Sequence, residues 1–238
     1  MNSTYVFSSE IEAKDFYTRF EWKMRKRSEG RDTNEVEMKI FADFIINVPN
    51  KNLWSYPVKI THQDRPDFLI ETTQKRIGIE VTEQWSKHFG KALSMSEHID
   101  GFIEYSDFNL KNDNKKKSGK EIARLVSKTN LTGPPSMGYQ EEENWIQRTI
   151  NTIERKIKKF SSYPNNQSYD DNFLLIFDVS PEIPIFEDIT PKMLCPIYSL
   201  RDSCTFSSVF FMDSHIGQID LVNQTFKIIR ERYVPNNE

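Results

Sequence analysis

The spacing of apolar residues predicts two helices in the first part of the chain. An apolar stripe with the period of a helix runs through residues 1–30 and predicts an N-terminal helix there. A second stripe covers residues 36–48 and ends before Pro49, which cannot continue a helix. We therefore expect two helices before any strand.

After Pro49 the pattern changes to alternation with a period of two, which is typical of strands. The segments YPVKITHQ, PDFLIETT and RIGIEVTEQW are predicted as successive strands, and the short polar turn between the last two predicts a hairpin. Further along, helical periodicity returns near residues 141–161, and the strands FLLIFDVS and SSVFFMDS follow. This order predicts an α/β fold with a mixed central β-sheet flanked by helices.

Residues 86–140 differ from the rest of the chain in composition. They are polar and carry blocks of charge, and Gly133, Pro134 and Pro135 interrupt them. We interpret this segment as an insertion or lid with short helices, carried by a single domain that spans residues 1–238.

Composition and charge narrow the class of protein. Hydrophobic residues make up 37% of the chain and charged residues 28%, which is typical of a folded domain with a polar surface. No apolar run approaches the roughly 18 residues that cross a bilayer, and the first residues lack a secretory pattern, so we expect a cytoplasmic protein without a membrane partner. Cys195 and Cys204 are expected to be free thiols.

The net charge of −3 excludes a protein that coats nucleic acid by charge alone. Contact with nucleic acid would need local patches, and three basic segments are present: KMRKR, KKKSGK and RKIKK. Each of them is also what a solvated helix face or loop looks like.

Two carboxylates occupy unusual positions in the predicted hairpin. Glu80 lies among apolar strand residues, and Asp67 begins the neighbouring strand, so the pairing brings both acids towards one site. Two carboxylates held close together repel each other, and the usual resolution is a hard cation such as Mg²⁺ or Mn²⁺. The sequence therefore indicates a metal site at Asp67 and Glu80.

A third acid, Glu37, falls near the middle of the apolar face of the second helix. A carboxylate in that position needs a partner, because an unpaired buried charge is costly. Either a buried base or the cation at Asp67 and Glu80 could supply it.

These residues resemble the PD-(D/E)xK nuclease superfamily, which has the restriction-endonuclease-like fold. The resemblance rests on a helix glutamate, on Pro66-Asp67 at a strand and on Glu80-Val81-Thr82 in the next strand. It covers roughly residues 33–84 by motif and extends to about residue 213 by element order. It implies that Asp67 and Glu80 bind magnesium, that Glu37 supports the metal, and that a lysine two residues after the glutamate positions or activates the attacking water.

The chain departs from that motif at Thr82, which stands where the family has its lysine. A threonine hydroxyl cannot replace an ammonium, although Thr82 or Gln84 could orient a water. Lys156 is the candidate replacement, because it borders the apolar stripe of the later helix. The alternative is that Lys156 lies along that stripe with its ammonium in water.

The leading hypothesis is a magnesium- or manganese-dependent DNA endonuclease, with Lys156 stabilising the phosphorane. The missing motif lysine keeps a second class open, a catalytically inactive nuclease-like fold that binds nucleic acid or protein. A third reading is a structural protein in which Glu37 and Lys156 form a buried ion pair. RNA as substrate and a homodimer as assembly stay open, and the fold type alone suggests restriction or phage defence.

Overall fold

The structure is a computed structural model of the chain, and it describes residues 3–19, 25, 29–84, 118, 121, 138–163, 169–178, 191–212 and 215–231. The predicted insertion or lid at residues 86–140 lies almost entirely outside these residues. Its interpretation therefore stays a prediction.

The described residues form one eight-stranded sheet and four α-helices. The strands are β1 (Ser3–Phe7), β2 (Val58–His62), β3 (Phe68–Thr72), β4 (Arg76–Gln84), β5 (Asp171–Asp178), β6 (Ser208–Met212), β7 (His215–Asp220) and β8 (Thr225–Glu231). The helices are α1 (Glu10–Arg19), α2 (Thr33–Asn47), α3 (Gly138–Ser161) and α4 (Pro191–Tyr198), with 3₁₀ turns at Asn50–Asn52 and Arg201–Ser203.

The predicted α/β fold with a mixed sheet is confirmed. Strand order follows chain order from β1 to β8; β4, β5 and β6 are parallel neighbours, and all other neighbours are antiparallel. The predicted hairpin is β3 and β4. Sequence reasoning missed β1, α4 and the final hairpin of β7 and β8, each of which is a short element.

Two apolar layers enclose the sheet and place its polar residues. One layer joins α1 and α2 to the sheet face that includes Ile79 and Val81. The other joins α3 and α4 to the opposite face, which includes Leu174 and Ile176. Since neighbouring residues of a strand point to opposite faces, Glu80 points towards α3. Among the described helices, none has both the length and the apolar character needed to cross a bilayer.

Strand β3 stops pairing with β4 before β4 ends, and the candidate site lies where the two strands diverge. β3 pairs with β4 only from Arg76 to Ile79, whereas β5 pairs with β4 as far as Gln84. The backbone of β4 after Ile79 therefore needs other partners on the β3 side.

Candidate active site

Side chains take over the backbone pairing of β4 where β3 has diverged. The Val81 N–H donates to Asp67 Oδ2 at 2.7 Å, and the Val81 carbonyl accepts from Lys156 Nζ at 2.6 Å. Asp67, immediately before β3, and Lys156, on α3, thus occupy the place of a neighbouring strand. This explains why a carboxylate and an ammonium are both buried here.

Glu80 is fully buried, with 0% of its surface exposed, yet both of its carboxylate oxygens have donors. Lys156 Nζ donates to Oε2 at 2.8 Å, and the Tyr163 hydroxyl donates to Oε1 at 2.9 Å. A buried carboxylate is tolerated when a cation and hydrogen-bond donors compensate for its lost hydration. The sequence prediction that Lys156 places its ammonium beside Glu80 is confirmed.

Asp67 completes the charged cluster and has an unusual affinity for protons. Its Oδ2 lies 3.7 Å from Lys156 Nζ, and only 3% of the residue is exposed. Burial raises the pKa of the Asp67 carboxyl to about 7; Lys156 opposes this shift, while the charges of Glu80 and Glu37 add to it. Further positive charge at this position would favour the ionised form of Asp67.

Glu37 approaches the cluster from α2, on the other side of the sheet. Its Oε2 lies 3.1 Å from His62 Nε2, and the His62 ring stacks on Phe68 with centroids 4.7 Å apart. Glu37 and Asp67 line the same opening, of about 290 Å³. Of the two partners expected for Glu37, the structure shows the base, His62, and leaves the cation a prediction.

The buried ion pair that the third reading placed between Glu37 and Lys156 is wrong, while a structural role for the protein stays a prediction. Among the described ion pairs Lys156 bonds to Asp67 and Glu80, because α3 packs on the face of β4 that carries Glu80.

The two candidates for orienting a water lie in different places. Thr82 lines the cleft, its hydroxyl accepts from Arg155 Nη2 at 3.4 Å, and it donates to the Glu83 carbonyl at 3.3 Å. Gln84 is buried, and its amide donates to Thr149 Oγ1 and to Asp178 Oδ2 at 3.2 and 3.3 Å. The structure therefore does not bring Gln84 into the cluster of Asp67, Glu80 and Lys156.

An open cleft of about 570 Å³ gives access to the cluster between the start of α2, the end of β4 and α3. Arg31 and Glu83 lie at this cleft and form a bidentate ion pair, with Arg31 Nη2 2.8 Å from each Glu83 oxygen. Lys156 and Lys159 line the α3 side. Three cations therefore line the cleft: Arg31, Lys156 and Lys159. Of these, Lys156 also contacts the buried acids Asp67 and Glu80.

Sequence reasoning missed Tyr163, His62 and Lys159 as members of the site. Tyr163 follows Lys156 by seven residues but lies beyond the end of α3 at Ser161, so helical spacing alone could not have placed it beside Glu80. His62 ends the strand paired with β3, but a single histidine without ligand spacing carries no such signal.

The chemistry of these donors fits a divalent cation. Carboxylate oxygens are the ligands that Mg²⁺ and Mn²⁺ prefer. Asp67 lines the smaller opening and Glu37 lines both, whereas Glu80 is fully buried between them and α3 and lines neither. Within the described residues no three or more His, Cys, Asp or Glu side chains lie in an arrangement that could hold a metal ion by themselves. The Lys156 ammonium is the positive charge that the two acids share here.

Comparisons of the chain with protein-family models, with curated proteins and with solved structures found no match. The fold and the cluster of Asp67, Glu80 and Lys156 are therefore the basis for inferring function. Helix α2, the strands β2 to β4, helix α3 and β5 follow one another in the order from which the nuclease resemblance was extended. That resemblance stays a prediction.

Proposed function

We propose that the chain is a divalent-cation-dependent endonuclease that hydrolyses phosphodiester bonds of DNA. One observation carries the proposal: the buried acids Asp67 and Glu80 share the Lys156 ammonium at the wall of an open cleft. Acids with perturbed pKa values close to a cleft are typical of catalytic sites.

The reaction we propose adds water to the phosphorus and breaks one P–O ester bond. One product is a phosphate monoester and the other is a free hydroxyl, which takes up a proton of the attacking water. Mg²⁺ or Mn²⁺, held by Asp67 and Glu80 with Glu37 in support, would supply Lewis acidity and neutralise developing charge. Lys156 and Tyr163 hold the Glu80 carboxylate in position, and the Thr82 hydroxyl, which lines the cleft, would orient water.

Charge bears on how selective the enzyme would be. A net charge of −3 with basic residues confined to patches suits an enzyme that selects its substrate better than one that degrades nucleic acid indiscriminately. Restriction or phage defence in the cytoplasm is the setting that the fold type suggests. RNA is the alternative substrate, and a homodimer the alternative to a monomer.

A second candidate function is a nuclease-like fold that binds nucleic acid or protein without cleaving it. Two observations favour it: Thr82 replaces the motif lysine, and Lys156 and Tyr163 already satisfy both oxygens of Glu80. In that case the acid pair would serve stability, with Lys156 as its permanent cation.

Cleavage by purified protein distinguishes these functions. Wild type is incubated with supercoiled plasmid, single-stranded DNA and RNA in Mg²⁺, in Mn²⁺ and in EDTA, beside Asp67→Asn. The asparagine oxygen can still accept from the Val81 N–H, so this variant keeps the local fold. Asp202→Asn on the exposed 3₁₀ turn is the matched control.

We expect metal-dependent cleavage by wild type and by Asp202→Asn, and none by Asp67→Asn. Equal cleavage by all three proteins would identify a contaminant. A wild type that cleaves no substrate in either metal would overturn the proposal and favour the binding module.

A further inference from the structure

Lys156 is held by buried oxygens of the protein, although it lines the cleft. Three oxygens surround its Nζ: the Val81 carbonyl at 2.6 Å, Glu80 Oε2 at 2.8 Å and Asp67 Oδ2 at 3.7 Å. The first two oxygens accept from two of its three N–H donors, and Asp67, at 3.7 Å, attracts it by charge alone. Its side chain is only 10% exposed. A substrate phosphate entering the cleft would therefore compete with the buried Glu80 for Lys156.

Lys159, unlike Lys156, has an exposed ammonium that a ligand in the cleft can reach. It lies one helical turn further along α3, its side chain is 52% exposed, and its Nζ is 3.9 Å from Glu80 Oε2. That distance allows electrostatic attraction but exceeds a hydrogen bond, so its described ion pair leaves its N–H donors available. Lys159 also lines both openings that reach the acids, the larger with Thr82 and the smaller with Asp67.

An aromatic ring restrains the Lys159 ammonium at this junction. Its Nζ lies 5.9 Å from the centroid of the Tyr163 ring, and the Arg65 guanidinium lies 5.8 Å from the same centroid. The Tyr163 hydroxyl is fixed by its bond to Glu80. The ring thus links the buried acid to two cations at the surface, and it favours an ammonium held near the cleft over one extended into solvent.

We propose that Lys159 is the cation that binds the phosphate of the nucleic-acid backbone, while Lys156 is retained by Glu80. The proposal rests on the proposed function and divides the role of the missing motif lysine between two residues. Lys156 compensates the buried acids, and Lys159 meets the phosphodiester one turn further out. The ligand class is a phosphodiester, recognised by charge at the junction of the two openings.

The neighbouring Lys158 supplies a matched control. It is the same residue type on the same helix and is exposed, but it lines neither opening. The affinity of Lys159→Met, Lys158→Met, Lys159→Arg and wild type for a fluorescent DNA duplex is measured by anisotropy over a salt series. Ca²⁺ replaces Mg²⁺, and a duplex that wild type leaves intact under these conditions is used.

We expect Lys159→Met to weaken binding at least about tenfold and to lower the salt slope by about 1, because one phosphate contact is lost. Lys158→Met should change binding less than about twofold, and Lys159→Arg should restore most of the affinity. Mn²⁺ affinity should not fall in Lys159→Met, because this variant removes a positive charge near Glu80 and no ligand of the metal. With Mg²⁺, Lys159→Met should lower kcat/KM by at least the same factor.

Equal losses in Lys159→Met and Lys158→Met would overturn the proposal, because they would show an undifferentiated basic helix face. Wild type that binds neither duplex nor single-stranded DNA would overturn it as well. A duplex bound through Lys159 but cleaved in no metal would support the phosphate site while contradicting the endonuclease. The two proposals can therefore fail separately.

Discussion

Two polar clusters lie on the same face of β4, and they differ in charge and in access. The first is Glu80 with Lys156, and the second is Gln84 with Thr149 and Asp178. Both are buried and both contact α3. The first adjoins the open cleft, whereas Gln84, Thr149 and Asp178 line none of the described openings.

The difference separates a structural network of hydrogen bonds from a candidate site for binding a cation. In the second cluster a single carboxylate, Asp178, accepts from Gln84 and from Trp145 Nε1 at 2.7 Å. In the first cluster Glu80 Oε2 has Lys156 Nζ at 2.8 Å and Lys159 Nζ at 3.9 Å, and Asp67 shares Lys156 at 3.7 Å. The first cluster therefore holds two acids close together, which is the arrangement that a divalent cation would relieve.

The largest expected difference between the clusters is in cleavage. Glu80→Gln should reduce metal-dependent cleavage by about 10³-fold, because losing a metal ligand exceeds the 10- to 100-fold cost of losing its outer partners. Thr149→Val, which alters the second cluster, should leave kcat/KM within about twofold. Initial rates on one substrate measure both. A comparable loss in Thr149→Val would end the distinction.

The next largest effect concerns stability. Lys156→Met leaves Glu80 buried without its cation and should lower the free energy of unfolding by about 3–5 kcal/mol. The double variant Lys156→Met with Glu80→Leu removes both charges and should recover much of that loss. Urea unfolding of wild type, both single variants and the double variant measures the coupling. Additive effects would show that Lys156 and Glu80 do not depend on each other.

A third effect is a pH dependence that belongs to Asp67. Its pKa in the folded chain is about 7, above the value near 3.9 expected when unfolded, so folding is favoured with the proton bound. This contribution is fully present below about pH 4 and is lost as the pH rises through 7. In EDTA, the Tm of Asp67→Asn relative to wild type should therefore rise across this range by roughly 5 °C. A Tm difference independent of pH would contradict the assignment.

The smallest expected effect is the loss of stability when the second cluster is altered. Thr149→Val removes one partner of the Gln84 amide and should cost about 1 kcal/mol, typical of a neutral buried hydrogen bond. The loss should not vary between pH 5 and 8, which thermal unfolding at both pH values would show. A loss as large as that of Lys156→Met would mean that the two clusters are equivalent in energy.

Local periodicity predicted much of this arrangement. The alternation around Ile79 predicted β4 and the side on which Glu80 lies, and the helical stripe placed Lys156 at the border of the packed face. Both predictions needed only the direction of a side chain within its own element. The predicted hairpin gave the expectation that Asp67 and Glu80 share a site, and the resemblance added the role that this site would have in a nuclease.

Position along an element was harder to predict than direction. Gln84 points to the same face as Glu80, but four residues of strand separate them by about 13 Å, so Gln84 meets Thr149 two turns before Lys156. The pairing of Glu37 with His62 depends on how α2 packs over β2, and the sequence pattern within either element does not predict that packing. Short elements such as β1 take their stability from pairing with distant strands, and were missed for that reason.

Manganese binding tests the central claim most directly, because it needs no knowledge of the DNA target. Mn²⁺ is titrated by calorimetry at pH 8, where Asp67 is mostly ionised. The proteins are wild type, the double variant Asp67→Asn with Glu80→Gln, and Thr149→Val, each checked for folding by circular dichroism. We predict one Mn²⁺ bound by wild type and by Thr149→Val and none by the double variant. Equal binding by all three proteins, or no binding by wild type, would contradict the assignment of Asp67 and Glu80 as a metal site.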